Sequence, residues 1–351
     1  MKNLFRNKTI LITGASGTIG SAIVLNLLKS QNFKVVRAMS NDENGLHELL
    51  ENIDVNLDSF NLKERMKKKK FRILYGDIRD YNRCCSATEG VDIVIHAAAM
   101  KHISICEYNP DETIKTNIKG TQNIIKASKK NRVKKIIFVS TDKAVYPSND
   151  MGLSKNKAEK ISLNSNSSSK KKRNVTKISC VRFGNILGSR GSVVPRFLNQ
   201  IKSKQKINLS SKKMTRFVMT INDAVRLIFK SLKIMKGGEI FIFKSMYSIK
   251  ILDLAEVLKR YYKKIYKKIS IQVIGVDNKE KFSEMLMTEN EFKFSDETKE
   301  MYIIHPTKRL KKKMNSFNSK KVDSNDVRLL TKEKILKLLI KNKLLKDLKD
   351  K

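Results

Sequence analysis

Cysteine and acidic residues are scarce in this 351-residue chain, and long apolar runs are missing altogether. The four cysteines, Cys84, Cys85, Cys106 and Cys180, lack the spacing of a zinc site, so no metal is expected. The adjacent pair Cys84 and Cys85 would make an awkward disulfide framework, and all four read as free thiols in a reducing cytoplasm. No stretch approaches the ~20 apolar residues of a membrane-spanning helix. Met1 to Lys8 is too short and too polar for a signal peptide. These absences predict a soluble, cytoplasmic protein with no membrane span. Asp and Glu together number 34 against 74 Lys and Arg, a formal net charge of +40. Such an excess invites a polyanion, because Lys and Arg release its counterions. Here it is mostly lysine spread through every segment, with no helix-turn-helix, zinc-finger or RNA-binding signature to focus it. It reads as a lysine bias on solvated surfaces, and no specific nucleic-acid partner is expected.

What the chain does have is a regular alternation. Hydrophobic residues make up 40% of it and follow strand and helix periods, which excludes a disordered or fibrous class. Thr9 to Ile12 predicts a first strand, and Ile19 to Leu28 a helix after a glycine turn. Lys34 to Met39, Phe71 to Tyr75, Val91 to His96, Lys135 to Ser140 and Lys177 to Arg182 predict further strands, with helical patterns such as Asn117 to Lys129 between most of them. Strands alternating with helices predict an α/β fold: a Rossmann-type doubly wound parallel sheet, whose ligands lie beyond the carboxyl ends of the strands. Two polar inserts, Asn61 to Lys70 and Asn164 to Arg173, read as surface loops or frayed helix ends. From Phe183 the alternation weakens, with a helix at Asp223 to Met235, a strand at Glu239 to Phe243 and a helix at Leu252 to Tyr262. The expected division is a dinucleotide-binding domain over 1–182 and a smaller, discontinuous substrate-binding region over 183–305, some of whose segments return to the sheet. A basic C-terminal tail follows over 306–351, with a helix at Thr331 to Leu348, and no internal repeat is found.

The strongest local signal is Thr13-Gly14-Ala15-Ser16-Gly17-Thr18-Ile19-Gly20, glycines three apart between a strand and a helix. Glycine lets the backbone turn sharply and approach a pyrophosphate, and the helix N-terminus offers unpaired N–H groups at a positive dipole end. Gly14, Ser16, Gly17, Thr18, Ile19 and Gly20 are therefore expected to hold a tightly bound, recycled NAD or NADP. The second strand ends at Ser40 and Asn41, which neither repel a 2′-phosphate nor clamp a ribose diol, so the choice between the two stays open. Asp77 and Ile78 follow the third strand, where a carboxylate can accept from the adenine amine. Ala97 and Ala98, after the fourth, leave room for the cofactor, while His96 reads as a packed strand-end residue. Lys101 lies just beyond, where a cation could meet a diphosphate.

Ser140-Thr141-Asp142-Lys143 ends the fifth strand and is followed by Pro147, Asn149, Met151, Gly152 and Lys155. With Val181-Arg182-Phe183-Gly184-Asn185, Ser189-Arg190-Gly191-Ser192-Val193, Met214-Thr215-Arg216-Phe217 and Gly237-Gly238-Glu239, this resembles the UDP-N-acetylglucosamine 4,6-dehydratases, specifically their capsular polysaccharide branch, among the extended short-chain dehydrogenase/reductases. The resemblance spans roughly residues 8 to 305. It implies a UDP-sugar substrate, a homo-oligomer and a hydro-lyase reaction: C4 is oxidised, C5–H is acidified, water leaves from C6, and the same hydride returns to C6. It assigns Asp142 as the acid at the C6 hydroxyl, Lys143 as the base at C5, Thr141 to the hydroxyl being oxidised and Lys155 to the cofactor ribose. Lys101, Asn185, Arg190, Val193, Ser210 and Glu280 match positions lining the nucleotide-sugar site.

Two departures stand out. Met151 occupies the place where many superfamily members have tyrosine, and a thioether accepts no hydroxyl proton; methionine also occurs there in the capsule branch, and the base for C4 stays open. Asp277-Asn278-Lys279-Glu280-Lys281 stands where the family has Arg-Pro-Gly-Glu-Lys, so a carboxylate replaces a substrate-gripping cation. An epimerase on the same scaffold and a catalytically weak dinucleotide-binding regulator are the alternatives, and Arg190 and Arg216 have structural ion pairs as their alternative role.

Overall fold

The computed structural model describes residues 4–30, 32–56, 70–166, 175–244, 246–266, 268–306, 318, 320 and 322–345. Six strands appear within two residues of their expected limits: β1 (Thr9–Thr13), β2 (Val35–Ser40), β3 (Phe71–Tyr75), β4 (Ile93–His96), β5 (Lys135–Thr141) and β6 (Lys177–Phe183). Their side chains alternate between two cores, as the period of two demands. Ile10, Ile12, Ile93, Ile95 and Ile137 face one core, while Leu11, Val94 and Ile136 face the other. A sheet buried on both faces explains why these strands are apolar nearly throughout.

Three more strands, β10 (Ile240–Phe243), β13 (Ser295–Glu297) and β14 (Met301–Ile304), extend the sheet to nine in the order β13-β14-β10-β6-β5-β4-β1-β2-β3. Pairing is parallel from β3 to β10, and β14 and β13 add an antiparallel edge. The order reverses between β1 and β4, and a crevice for ligands opens at such a switch point. Helices α1 (Thr18–Ser30), α2 (Glu43–Asn56), α3 (Tyr81–Thr88), α4 (Ile103–Tyr108), α5 (Thr121–Lys130) and α6 (Asp150–Asn164) connect the first six strands.

The remaining segments build two small sheets and a second core. β7 (Asn185–Ile186), β9 (Thr215–Met219) and β11 (Tyr247–Lys250) form one sheet, and β8 (Lys206–Leu209) pairs with β12 (Ser270–Val273). Helices α7 (Val193–Lys204) and α9 (Ile251–Tyr262) pack beside them, while α8 (Ile221–Ile234) lies against α1. After the short α10 (Glu289–Lys293), the tail helix α11 (Lys332–Lys341) docks on α9 through Ile335 and Leu339, one turn apart on one face. Thr331 caps it by accepting from the Lys334 N–H.

Several local expectations are corrected. The helix foreseen from Asn117 opens instead as a π-helical stretch over Ile114–Gly120, and α5 begins only at Thr121. The widened turn accompanies a fixed role for Asn117: its amide exchanges hydrogen bonds with both the N–H and the carbonyl of Met100 and donates to Ser154 Oγ. The tail helix stops at Lys341 rather than Leu348, and Lys343 turns left-handed with φ 54°; residues 346–351 lie outside the described residues. Most of both polar inserts, 57–69 and 167–174, also lies outside them.

Candidate functional site

The glycine turn joins β1 to the N-terminus of α1 at the switch point. Gly14 has φ +67°, a left-handed conformation that favours glycine, and a Cβ there would stand 2.7 Å from Ala98 N. A Cβ on Gly20 would lie 2.1 Å from Gly14 O, so this residue lets the helix close against the turn. Gly17 differs: the nearest atom to its Cβ is Gly14 O at 3.3 Å, and nothing else lies within 4 Å. That open direction beside the helix N-terminus suits a pyrophosphate, which the first N–H groups of α1 would hold.

The other expected cofactor residues gather around this turn. Ser16 and Ser40 share a hydroxyl hydrogen bond of 2.8 Å, and Ala15 N–H donates to Met39 O. Asn41 Nδ2 donates to Asp77 Oδ2, bringing the ends of β2 and β3 together. Asp77 also pairs with Arg79; burial would raise its carboxyl, and the Arg79 bonds outweigh that and lower it. Ile78 is buried against Gly120, whose own Cβ would clash with it. Ala97 N–H donates to Thr13 O. His96, below them, is buried between the Thr13 and Thr121 hydroxyls, and burial followed by the Lys155 charge pushes its proton affinity down to about 3. It is a neutral packing residue at pH 7.

At the end of β5, Thr141, Asp142, Lys143 and Asn185 are linked in a chain of hydrogen bonds. Asp142 is fully buried; its Oδ1 accepts from Thr141 Oγ1 at 2.9 Å and from Lys143 Nζ at 3.0 Å. Its Oδ2 has no hydrogen-bond partner among the described residues. Burial raises this carboxyl's proton affinity, and the Glu284 charge adds to the rise against the opposing pull of Lys143. Lys143 Nζ also donates to Asn185 Oδ1 at 2.8 Å. Burial alone would lower this ammonium; the Asp142 and Glu284 carboxylates outweigh it and raise it.

Lys155, in the first turn and a half of α6, donates from Nζ to Val139 O at 2.8 Å and sits 4.6 Å from the Phe138 ring centre. Burial lowers it to about 8. Met151, one turn earlier, is buried, so the tyrosine position carries an apolar packing group. The α6 N-terminus is capped by Asn149, which accepts from Gly152 N–H.

The expected substrate residues are more scattered. Lys101 Nζ donates to Arg190 O, and Arg190 N–H donates to Thr18 Oγ1, so the 184–192 loop closes on the glycine turn. The Arg190 side chain turns to Glu48 and Asp42 beyond the end of β2. Val193 opens α7, Ser210 follows β8, and Glu280 lies in the turn after Asp277. Neither Ser210 nor Glu280 hydrogen-bonds to Asp142 or Lys143 among the described residues. Asp277 is exposed and accepts from Lys279 N–H. Arg216 lies 3.9 Å from Glu284 Oε1 and donates to the carbonyls of Thr215, Lys281 and Phe282. A cavity of about 620 Å³ opens beside the turn, lined by Ser16, Thr18, Arg190 and, from the tail, Lys343 and Leu344. Sequence reasoning missed Glu284, a lone carboxylate in a polar stretch that only the fold brings to Lys143.

A dinucleotide cradle at the switch point, with polar side chains from the end of β5 and from the helix that follows, defines an extended short-chain dehydrogenase/reductase. The chain belongs to the polysaccharide biosynthesis protein family, which matches residues 10–306. It is 42% identical over 347 residues to an uncharacterized membrane protein of Methanocaldococcus jannaschii, covering 97% of each chain. It is 35% identical over 306 residues to the UDP-glucose 4-epimerase of Rickettsia rickettsii, covering 86% of this chain and 84% of the relative. The crystal structure of Pen from Bacillus thuringiensis superposes with a TM-score of 0.88 at 40% identity, covering 97% of this chain and 99% of Pen. Among the described residues no helix is long and apolar enough to cross a membrane.

Proposed function

We propose that this protein is a nucleotide-sugar 4,6-dehydratase acting on UDP-N-acetylglucosamine with a tightly held NAD or NADP. One observation carries the reading: a fully buried carboxyl, Asp142, bonded to Lys143 through one oxygen and bare at the other. A bare buried oxygen needs either a proton of its own or a substrate hydroxyl. Elimination of water demands this kind of pair, one group giving a proton to the leaving hydroxyl and its neighbour taking one from the adjacent carbon.

When bound, the dinucleotide supplies hydride acceptance at C4 and hydride return at C6. The chain's residues do the rest. The Gly14 to Gly20 turn and the α1 N-terminus hold the pyrophosphate, and Ser16, Ser40, Asn41, Asp77, Ile78, Ala97, Ala98 and Lys155 frame the remainder of the cofactor. Thr141 orients the C4 hydroxyl, whose proton passes to Asp142. Asp142 then protonates the departing C6 hydroxyl, while neutral Lys143 takes the C5 proton and later returns it. One water is lost, and each residue ends in its starting state. Lys101, Asn185, Arg190, Val193, Ser210 and Glu280 line the sugar nucleotide. A resident Lys143 ammonium must shed its proton before it acts, which makes turnover rise with pH.

A C4 epimerase is the second reading, favoured by the likeness to UDP-glucose 4-epimerases. Product mass separates the two. Purified protein incubated with UDP-N-acetylglucosamine should yield a product lighter by one water, and Asp142→Asn should slow its formation by ~10²–10⁴-fold with cofactor still bound. A product of unchanged mass would reject dehydration.

A further inference from the structure

Glu284 is 3% exposed, and the reaction above gives it no part. Its carboxylate lies 3.6 Å from Lys143 Nζ, 3.9 Å from Arg216 Nε and 3.1 Å from Lys281 Nζ. The backbone around it is fixed from two directions. Arg182, itself paired with Glu159 and Glu291, donates to Leu286 O at 2.8 Å. From the other side comes the tail: Glu284 N–H donates to Ser324 Oγ, Ser324 N–H to Glu284 O and Leu286 N–H to Val322 O, each at 2.9 Å. Ser324 is fully buried, with its hydroxyl 2.9 Å from Thr215 Oγ1 and its carbonyl accepting from Ser248 Oγ. Val322 and Ser324 lie beyond residue 306, where the family match ends.

We propose that Glu284 is a positioning residue that holds Lys143 in place and strengthens it as a base, and that tail residues 322–324 are the strap that fixes Glu284. The inference rests on the dehydratase reading for its catalytic meaning. Four charged groups bear on the Lys143 ammonium: Asp142 beside it, Glu284 from the strapped segment, Arg216 from β9, and Lys281 behind Glu284. The two carboxylates raise its proton affinity and Arg216 lowers it. A carbon acid such as C5–H, even beside a ketone, gives up its proton more readily to a stronger base. The same charge also holds a flexible lysine in one direction. Keeping a carboxylate this deeply buried costs desolvation, offset here by three cations in reach.

The test is the rate at which Lys143 in the intact protein is acetylated by acetic anhydride at pH 9, read by peptide mass spectrometry, because it needs no substrate. Only the neutral amine reacts. Glu284→Gln should accelerate it about tenfold or more, because losing that carboxylate lowers the amine's proton affinity and leaves more of it neutral. Glu284→Asp, which keeps the charge, should stay near the wild-type rate, and Arg216→Gln should slow the reaction. Ser324→Ala should shift it in the direction of Glu284→Gln by less. On UDP-N-acetylglucosamine, Glu284→Gln should move the rising limb of kcat to lower pH while KM changes less than about threefold.

An unchanged Lys143 rate in a Glu284→Gln protein of wild-type thermal midpoint overturns the proposal. If that variant does not fold, an Arg216→Gln rate that is unchanged or faster does so. An unchanged rate in Ser324→Ala overturns the strap and leaves the fixing to Arg182. Wild-type protein that never dehydrates the sugar rejects the dehydratase reading alone, since the acetylation result stands apart from it.

Discussion

On the dehydratase reading, Asp142 and Met151 are where single side chains decide the chemistry. Asp142 has one oxygen committed and one bare, and Met151 puts a thioether where a tyrosinate base would act in many related folds. If Asp142 takes the C4 proton, no tyrosine is needed and Met151 serves only to pack the first turn of α6. Met151→Leu, similar in volume, should then keep turnover within about tenfold, the rate equivalent of ~1.4 kcal/mol. Steady-state kinetics with cofactor content measured in parallel checks this; a loss of several orders of magnitude in folded, cofactor-loaded protein would give the sulfur a direct role. Thr141, Asp142 and Lys143 were singled out from sequence by their place at a strand end and by the family resemblance, and the fold does bring them into hydrogen-bonding contact. Glu284 and Ser324 were not, because each acts through a partner far along the chain and neither carries a spacing signal of its own. Arg190 had two readings from sequence, a substrate position implied by the family resemblance and a structural ion pair; its side chain pairs with Glu48 and Asp42, partners that only the tertiary position of α2 could reveal.

Two elements frame the candidate site, the glycine turn and the tail segment 322–324 bonded to the Glu284 backbone. Within the turn, the three glycines do separate things, and substitution should pull them apart. Gly20→Ala would place a Cβ 2.1 Å from Gly14 O, a backbone clash that should lower the thermal midpoint. Gly17→Ala meets only Gly14 O at 3.3 Å and should leave the midpoint within a few degrees while cutting the dinucleotide carried through purification. Differential scanning calorimetry with cofactor extraction reads both, and full cofactor occupancy in Gly17→Ala would show that its open side does not face the pyrophosphate. Strands and helices of the first half were legible because a doubly covered sheet writes apolar runs between amphipathic helices. The π-helical stretch before α5 was not, since it goes with long-range bonds from the Asn117 side chain to the Met100 backbone that no local pattern announces.

Over the whole molecule, the sheet and the second half of the chain meet at the end of β5, where Lys143 reaches Asn185 and Glu284, beyond the carboxyl ends of parallel strands where a switch-point fold places ligands. The tail, read from sequence as basic with a helix, contributes Ile335 and Leu339 to the second core and Ser324 to the Glu284 backbone, so these described residues belong to the folded unit. The antiparallel edge β13–β14 could not be foreseen, because short strands far along the chain carry too few residues to show a period. On the dehydratase reading, one hydride leaves C4 and comes back at C6 of the same sugar while Asp142 and Lys143 remove water across C5 and C6. Its most direct test uses UDP-N-acetylglucosamine deuterated at C4, with the product's label located by NMR. Dehydration by this route predicts deuterium in the C6 methyl group of a 4-keto sugar, and label found back at C4 of a sugar that keeps its C6 hydroxyl would contradict it.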